Sequence, residues 1–160
     1  MLKKFTVSNY RSFEKPITID FANFRDYDFN KDCIKNRLIN KAIIYGKNAV
    51  GKTNFGEAIT DIGSMVSNDR DSFYSLIEDG FINANSTKDT ATFDYVFKLD
   101  DDEIQYTYEK YGINKLYYES LRINKNLLYE INFDTEKSDF SAFQNYTFVR
   151  CNVISSKMRN

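Results

Sequence analysis

Hydrophobic and polar positions change period along this chain, and the changes divide it. Phe5 and Val7 alternate with Lys4, Thr6 and Ser8, the period of a strand with one buried face. Asn9-Tyr10-Arg11-Ser12 interrupts that period. Ile17, Ile19 and Phe21 then alternate with Thr18 and Asp20, and Pro16 stands at the strand start, where a missing N–H is tolerated. The two strands are expected to pair as a hairpin around Arg11.

Residues 22–40 carry no strand period and read as a long connection, with a short helical turn around Ile34, Leu38 and Ile39. Ala42-Ile43-Ile44-Tyr45 is a continuous apolar run, the pattern of a strand buried on both faces. After it, Phe55, Ala58, Ile59, Ile62, Met65 and Val66 form one stripe at helical spacing, ending at Ser67-Asn68-Asp69. A weaker helical patch covers Phe73 to Ile77.

From about residue 91 the period returns to two. Strands are expected around Phe93–Leu99, Ile104–Tyr108, Tyr117–Ile123 and Leu127–Phe133, separated by Asp100-Asp101-Asp102, Gly112 and Asn124-Lys125-Asn126. Short connections between alternating strands predict an antiparallel meander. Tyr146–Val149 is a last short strand candidate.

The chain has 160 residues, a net charge of −1 and no histidine. That length suits one domain with a sizeable core. The charge offers no general basic field for nucleic acid. The missing histidine removes His-ligated metal and Ser-His-Asp chemistry. Cys33 and Cys151 form no CxxC pair, and neither has an activating partner in the sequence. With no signal-peptide pattern and no membrane-length apolar run, a cytoplasmic location is expected. Lys31, Lys35, Arg37 and Lys41, with Lys3 and Lys4, are mildly basic, but interleaved Asp26, Asp28 and Asp32 read as a solvated loop rather than a DNA contact.

The strongest chemical signal lies between the apolar run and the helical stripe. Gly46-Lys47-Asn48-Ala49-Val50-Gly51-Lys52-Thr53 matches G-x-x-x-x-G-K-[ST], the phosphate-binding loop. In such a loop Gly46 and Gly51 permit turns and close approach, and backbone amides from Asn48 to Thr53 form a concave anion nest. The following helix directs its positive end at the same phosphates. Lys52 would reach the β- and γ-phosphates, and Thr53 would hold Mg²⁺. A chance match is expected in fewer than about one in a hundred chains of this length.

FTVSNYRSF, the amphipathic strand after it, and IIYGKNAVGKTNFGEAI together resemble the start of an ABC-type ATPase head. The closest likeness is to the RecF-like, structural-maintenance-of-chromosomes-like and overcoming-lysogenization-defect-like ATPases, often called AAA-family ATPases. Asn48 and Thr53-Asn54 fit that group, and the meander at 91–133 resembles its β-subdomain. The resemblance implies an α/β fold with α+β character. Residues 1–66 would form the nucleotide-binding part and 91–133 the antiparallel subdomain, within one partial domain over 1–160. It implies that Arg11 lies beside the phosphates, with Gly46, Asn48, Ala49, Val50, Gly51, Lys52, Thr53 and Asn54 completing the nucleotide site and Lys52 acting in catalysis. The implied cofactors are ATP and Mg²⁺. The implied activity is ATP hydrolysis in a complete protein that dimerises through its heads, in DNA repair or phage defence, with DNA or a nuclease effector as partner.

Other parts of that pattern are missing. There is no LSGGQ-like segment and no switch histidine. Leu99-Asp100-Asp101-Asp102-Glu103 follows a strand interrupted by Asp94 and Lys98, so it reads as an acidic turn rather than a metal-binding strand end. Gln144 is the glutamine-loop candidate, though an exposed loop amide is the simpler reading. These gaps lead to the expectation of a C-terminal lobe outside these 160 residues, and of little turnover by the chain alone. The alternative is a sensor or scaffold that binds ATP or GTP without hydrolysis. Base preference is not legible. As a turn residue, Arg11 is expected to matter little for stability.

Overall fold

A computed structural model describes residues 1–25, 30–66 and 80–142. The expected helical patch at Phe73–Ile77, the strand at Tyr146–Val149, Asp26, Asp28, Gln144 and Cys151 lie outside the described residues.

The alternating segments do form strands, and they join into one sheet. β1 (Leu2–Ser8) pairs with β2 (Ile17–Asp20) as the expected hairpin. β3 (Ile34–Lys35) and β4 (Leu38–Ile39) make a separate two-stranded hairpin preceded by a 3₁₀ turn at Lys31–Cys33. This replaces the helical turn expected around Ile34 and Leu38. Asn36 and Arg37 both take positive φ, at 53° and 59°, the geometry of a tight hairpin connection.

The meander comprises β5 (Ala91–Leu99), β6 (Asp102–Gly112), β7 (Lys115–Ile123) and β8 (Asn126–Asn132). A short β9 (Lys137–Asp139), which the polar stretch 134–141 did not advertise, pairs with β8. β1 pairs with β5, so hairpin and meander form a seven-stranded sheet in the order β2-β1-β5-β6-β7-β8-β9. Every pairing among the described residues is antiparallel. The α/β expectation is therefore met only in its coarse form: one helix on a mostly antiparallel sheet.

That helix, α1 (Lys52–Val66), lies on one sheet face. Register places Phe5, Tyr95 and Tyr106 in one row across the sheet and Val7, Phe93 and Tyr108 in the next. These six side chains are buried, as are Phe55, Ala58 and Met65 of the helix stripe. Phe55 meets the Phe5 ring edge-on at 5.7 Å between centroids. Tyr95 donates a 2.7 Å hydrogen bond to the Ala58 carbonyl. Each buried aromatic contributes about 2 kcal/mol through area removed from water. The opposite sheet face is polar: Thr6 bonds Thr18 at 2.9 Å, and Asp94 accepts from Gln105 and Thr107 at 2.7 and 2.6 Å.

The clearest departure concerns Ala42–Tyr45. It forms no strand, and Ile43, Ile44 and Tyr45 are 90%, 53% and 91% exposed. A doubly buried strand needs neighbours on both edges and a layer on both faces. Here the described sheet ends at β2, and α1 is its only helix, so nothing among the described residues supplies them.

Candidate functional site

The turn after β1 and the start of α1 are built against each other. Asn9 and Arg11 both take left-handed backbone angles, φ 54° and 48°. Between them Tyr10 is buried, and reciprocal bonds of 3.0 and 2.8 Å tie Tyr10 to Phe13. Asn9, a residue type tolerant of that conformation, donates to the carbonyls of Lys88 and Thr90 at 2.6 and 2.8 Å. The Arg11 N–H donates to Phe81, and its carbonyl accepts from Asn83 at 2.6 Å. Tyr10 packs edge-on against Phe81 and Phe93. Asn9, Tyr10 and Phe13 thus face inward and hold the turn, while Arg11 and Ser12 turn toward α1.

The Gly46–Thr53 loop approaches that turn at Gly51. Gly51 has φ +91°, and a Cβ there would stand 2.8 Å from the Phe13 ring and 2.9 Å from Ser12 Oγ. Glycine at this position is required by packing against the turn as well as by backbone angle. Gly46 differs: its φ is not positive, and the nearest atom to an added Cβ is Val50 Cγ2 at 3.4 Å. Asn54 reaches across to donate to Ser12 Oγ at 2.8 Å. Phe13 and Phe55 meet edge-on at 6.5 Å.

Within the loop, Ala49 is left-handed at φ 63°, a conformation that costs a non-glycine residue about 1 kcal/mol. Such strain occurs preferentially at ligand-binding turns. Gly46 to Val50 are exposed. No acceptor among the described residues takes the N–H groups of Asn48, Ala49 or Gly51. The first N–H groups of α1 are unpaired within the helix, whose first ladder bond runs from Phe55 to Gly51 at 2.9 Å. Lys52 folds back over the loop. Its ammonium donates to the Gly46 and Lys47 carbonyls at 3.0 and 2.7 Å, leaving the third of its protons for a further acceptor. Thr53 is exposed at the helix start.

The sequence-predicted residues therefore meet in one place: the Gly46–Thr53 loop, Asn54 and the Arg11 turn are contiguous. The acidic turn is elsewhere. β1 leads into the Arg11 turn beside Thr92, whereas Asp100–Glu103 close the far end of β5. Nine strand residues separate the two ends by about 26 Å. Glu103 is also ion-paired with Lys3. The sequence pattern had not singled out Ser12, Glu57 or Asn83. Glu57 was detectable in retrospect, since i+3 from Asn54 and i+4 from Thr53 share one helix face. It forms an ion pair with Arg11 at 2.9 Å, with the side chains 33% and 16% exposed. The Arg11 guanidinium also lies 5.5 Å from the centre of the Tyr10 ring. Arg11 thus has partners both on α1 and in its own turn.

An apolar groove of about 330 Å³ opens beside the loop, lined by Phe13, Ile17, Ile19, Ile44, Tyr45 and Val50 among others. Among the described residues no cluster of three or more acidic, Cys or His side chains could hold a metal, and no helix is long and apolar enough to cross a membrane. Compared with known proteins, the chain matches no family model and no curated protein.

Proposed function

We propose that Gly46–Thr53 binds the phosphates of a nucleotide, and that the chain is the nucleotide-binding lobe of an ABC-type ATPase of the RecF-like group. One observation carries this reading. Backbone N–H groups of Asn48, Ala49 and Gly51 without an acceptor among the described residues, and the α1 N-terminus, belong to the same short segment as an ammonium, Lys52, that retains a proton to donate. Anions are favoured there by hydrogen bonding and by the helix dipole together. The Thr53 hydroxyl, exposed at the helix start, would hold a Mg²⁺ bound with the nucleotide. Such an ion would neutralise charge on the phosphates.

In this chain Lys52 would stabilise charge on the phosphates, loop amides would fix them, and Arg11 would add a planar fork. Orienting a water for attack on the γ-phosphoryl group needs a further acceptor. The only carboxylate described at the site, Glu57, is engaged by Arg11, and Asp100–Glu103 are far away. Turnover would therefore require groups from a complementary lobe and a partner head. The exposed apolar strip Ile43–Tyr45 with Val50 fits such a lobe packing beside the loop. In the complete protein the cycle would drive an activity on DNA or through a nuclease effector. Among the described residues no second carboxylate stands at the site, which favours one alternative, a module that binds ATP or GTP and does not hydrolyse it.

A steady-state assay of phosphate release separates the two. The chain alone is expected to show negligible release under either reading. Adding the complementary lobe restores concentration-dependent release in an ATPase, lost in Lys52→Ala, and restores none in a sensor.

A further inference from the structure

We infer that Glu57 holds Arg11 in reserve: the carboxylate binds the guanidinium, and an incoming polyphosphate takes it over. The inference rests on the phosphate-loop reading and adds to it a residue that sets affinity.

Three features support an exchangeable contact. First, the pair leaves part of the guanidinium unused. Arg11 approaches Glu57 through Nη1 at 2.9 Å, and its buried Nε has no hydrogen-bond partner. A donor left over in this way is available to a further acceptor. Second, the backbone that carries Arg11 is fixed at both its N–H and its carbonyl, by Phe81 and Asn83. Only the side chain is left to move, so a transfer needs no refolding of the turn. Third, the distance is short. Glu57 is one helical turn beyond Thr53, about 6 Å along the axis, and Ser12, next to Arg11, already touches Asn54. A long arginine side chain spans that interval by changing rotamer.

The charges set the direction of the effect. Glu57 opposes a polyphosphate in two ways, by occupying Arg11 and by placing a negative charge one turn from the loop. Glu57→Gln removes the negative charge and weakens the hold on Arg11 without losing side-chain volume. If Arg11 is the carrier, most of the gain must vanish when Arg11 is absent. Partly exposed ion pairs of this kind correspond to changes of up to about fivefold.

The test is a double-mutant cycle read by fluorescence titration of an N-methylanthraniloyl ATP analogue, with Lys52→Ala as the reference for loop binding. Melting curves show that each variant is folded. Glu57→Gln is expected to tighten binding about three- to fivefold, and Arg11→Ala to weaken it. Glu57→Gln in the Arg11→Ala background is expected to change affinity by less than twofold. Unchanged affinity in Glu57→Gln, or the same gain with and without Arg11, overturns the inference while leaving the loop assignment standing. Binding by Lys52→Ala equal to wild type, or no binding by any variant, overturns the loop assignment and the inference with it.

Discussion

Lys110 of β6 and Asp61 of α1 form an ion pair at 2.9 Å with side chains only 1% and 4% exposed. Tyr108 donates to the same carboxylate at 2.6 Å, and Lys110 also lies 5.5 Å from the Phe81 ring centre. Charges this deeply buried give little net stability over an apolar pair, yet they penalise any arrangement that separates them. They fix the axial position of α1 on the sheet, and so the position of the loop that begins it. Lys110→Met leaves Asp61 without its cation and is expected to cost about 3 kcal/mol. The double variant Lys110→Met, Asp61→Leu should recover most of that loss. Chemical denaturation of the three proteins measures it; a single variant as stable as wild type would contradict the pairing.

Tyr108 gives an alkaline signature. Burial first, then the neighbouring Tyr95 and Asp61, push its hydroxyl well above the ordinary tyrosine range. The folded form keeps the proton that the unfolded form loses near pH 10. Its contribution is therefore complete below about pH 10 and declines as pH rises beyond it. Tyr108→Phe should lower stability at pH 8 and flatten the fall above pH 10. Urea denaturation at several pH values from 8 to 11 tests this; parallel curves for both proteins would contradict it.

Glycines of the loop should separate. Gly51→Ala places a methyl against Phe13 and Ser12 at positive φ, and an incompatible backbone angle alone costs about 1 kcal/mol or more. A fall of about 2 kcal/mol is expected. Gly46→Ala should stay within about 0.5 kcal/mol, as surface changes usually do. Thermal melts compare them; equal losses would refute the Gly51–Phe13 packing. Gly51 variants are accordingly poor reporters of nucleotide binding, because they also alter the fold.

Exposure of Ile43 and Tyr45 is equally testable. Replacing both by Asn is expected to leave the melting temperature within about 2 °C, since surface substitutions rarely exceed 0.5 kcal/mol. Binding of a hydrophobic dye should fall. A loss of 3 kcal/mol or more would mean that the run is buried after all.

Strands whose one face is buried were legible because their period is local. Phe93–Leu99 and Leu127–Phe133 show it without reference to anything distant. The helix stripe from Phe55 to Met65 was legible for the same reason. What escaped the sequence depends on partners far along the chain. Nothing in FTVSN says that β1 pairs with β5, which joins the hairpin to the meander. Lys110, a charged residue facing inward, makes sense only once Asp61 is opposite it. Ala42–Tyr45 misled because an apolar run reports a preference for burial, and burial requires a cover that the described residues do not supply. At the site, the loop motif was legible residue by residue, while the Arg11–Glu57 contact required α1 to be laid against the turn.

The central claim is that Lys52 and the loop amides bind nucleotide phosphates, and isothermal titration of Mg²⁺–ATP into wild type and Lys52→Ala tests it most directly. Because Lys52 is bonded only to exposed loop carbonyls, the variant is expected to melt within about 2 °C of wild type. It should also bind at least about tenfold more weakly, the loss of one charge-assisted contact. A folded Lys52→Ala protein with wild-type affinity, or a wild type with no measurable heat of binding, would contradict the account.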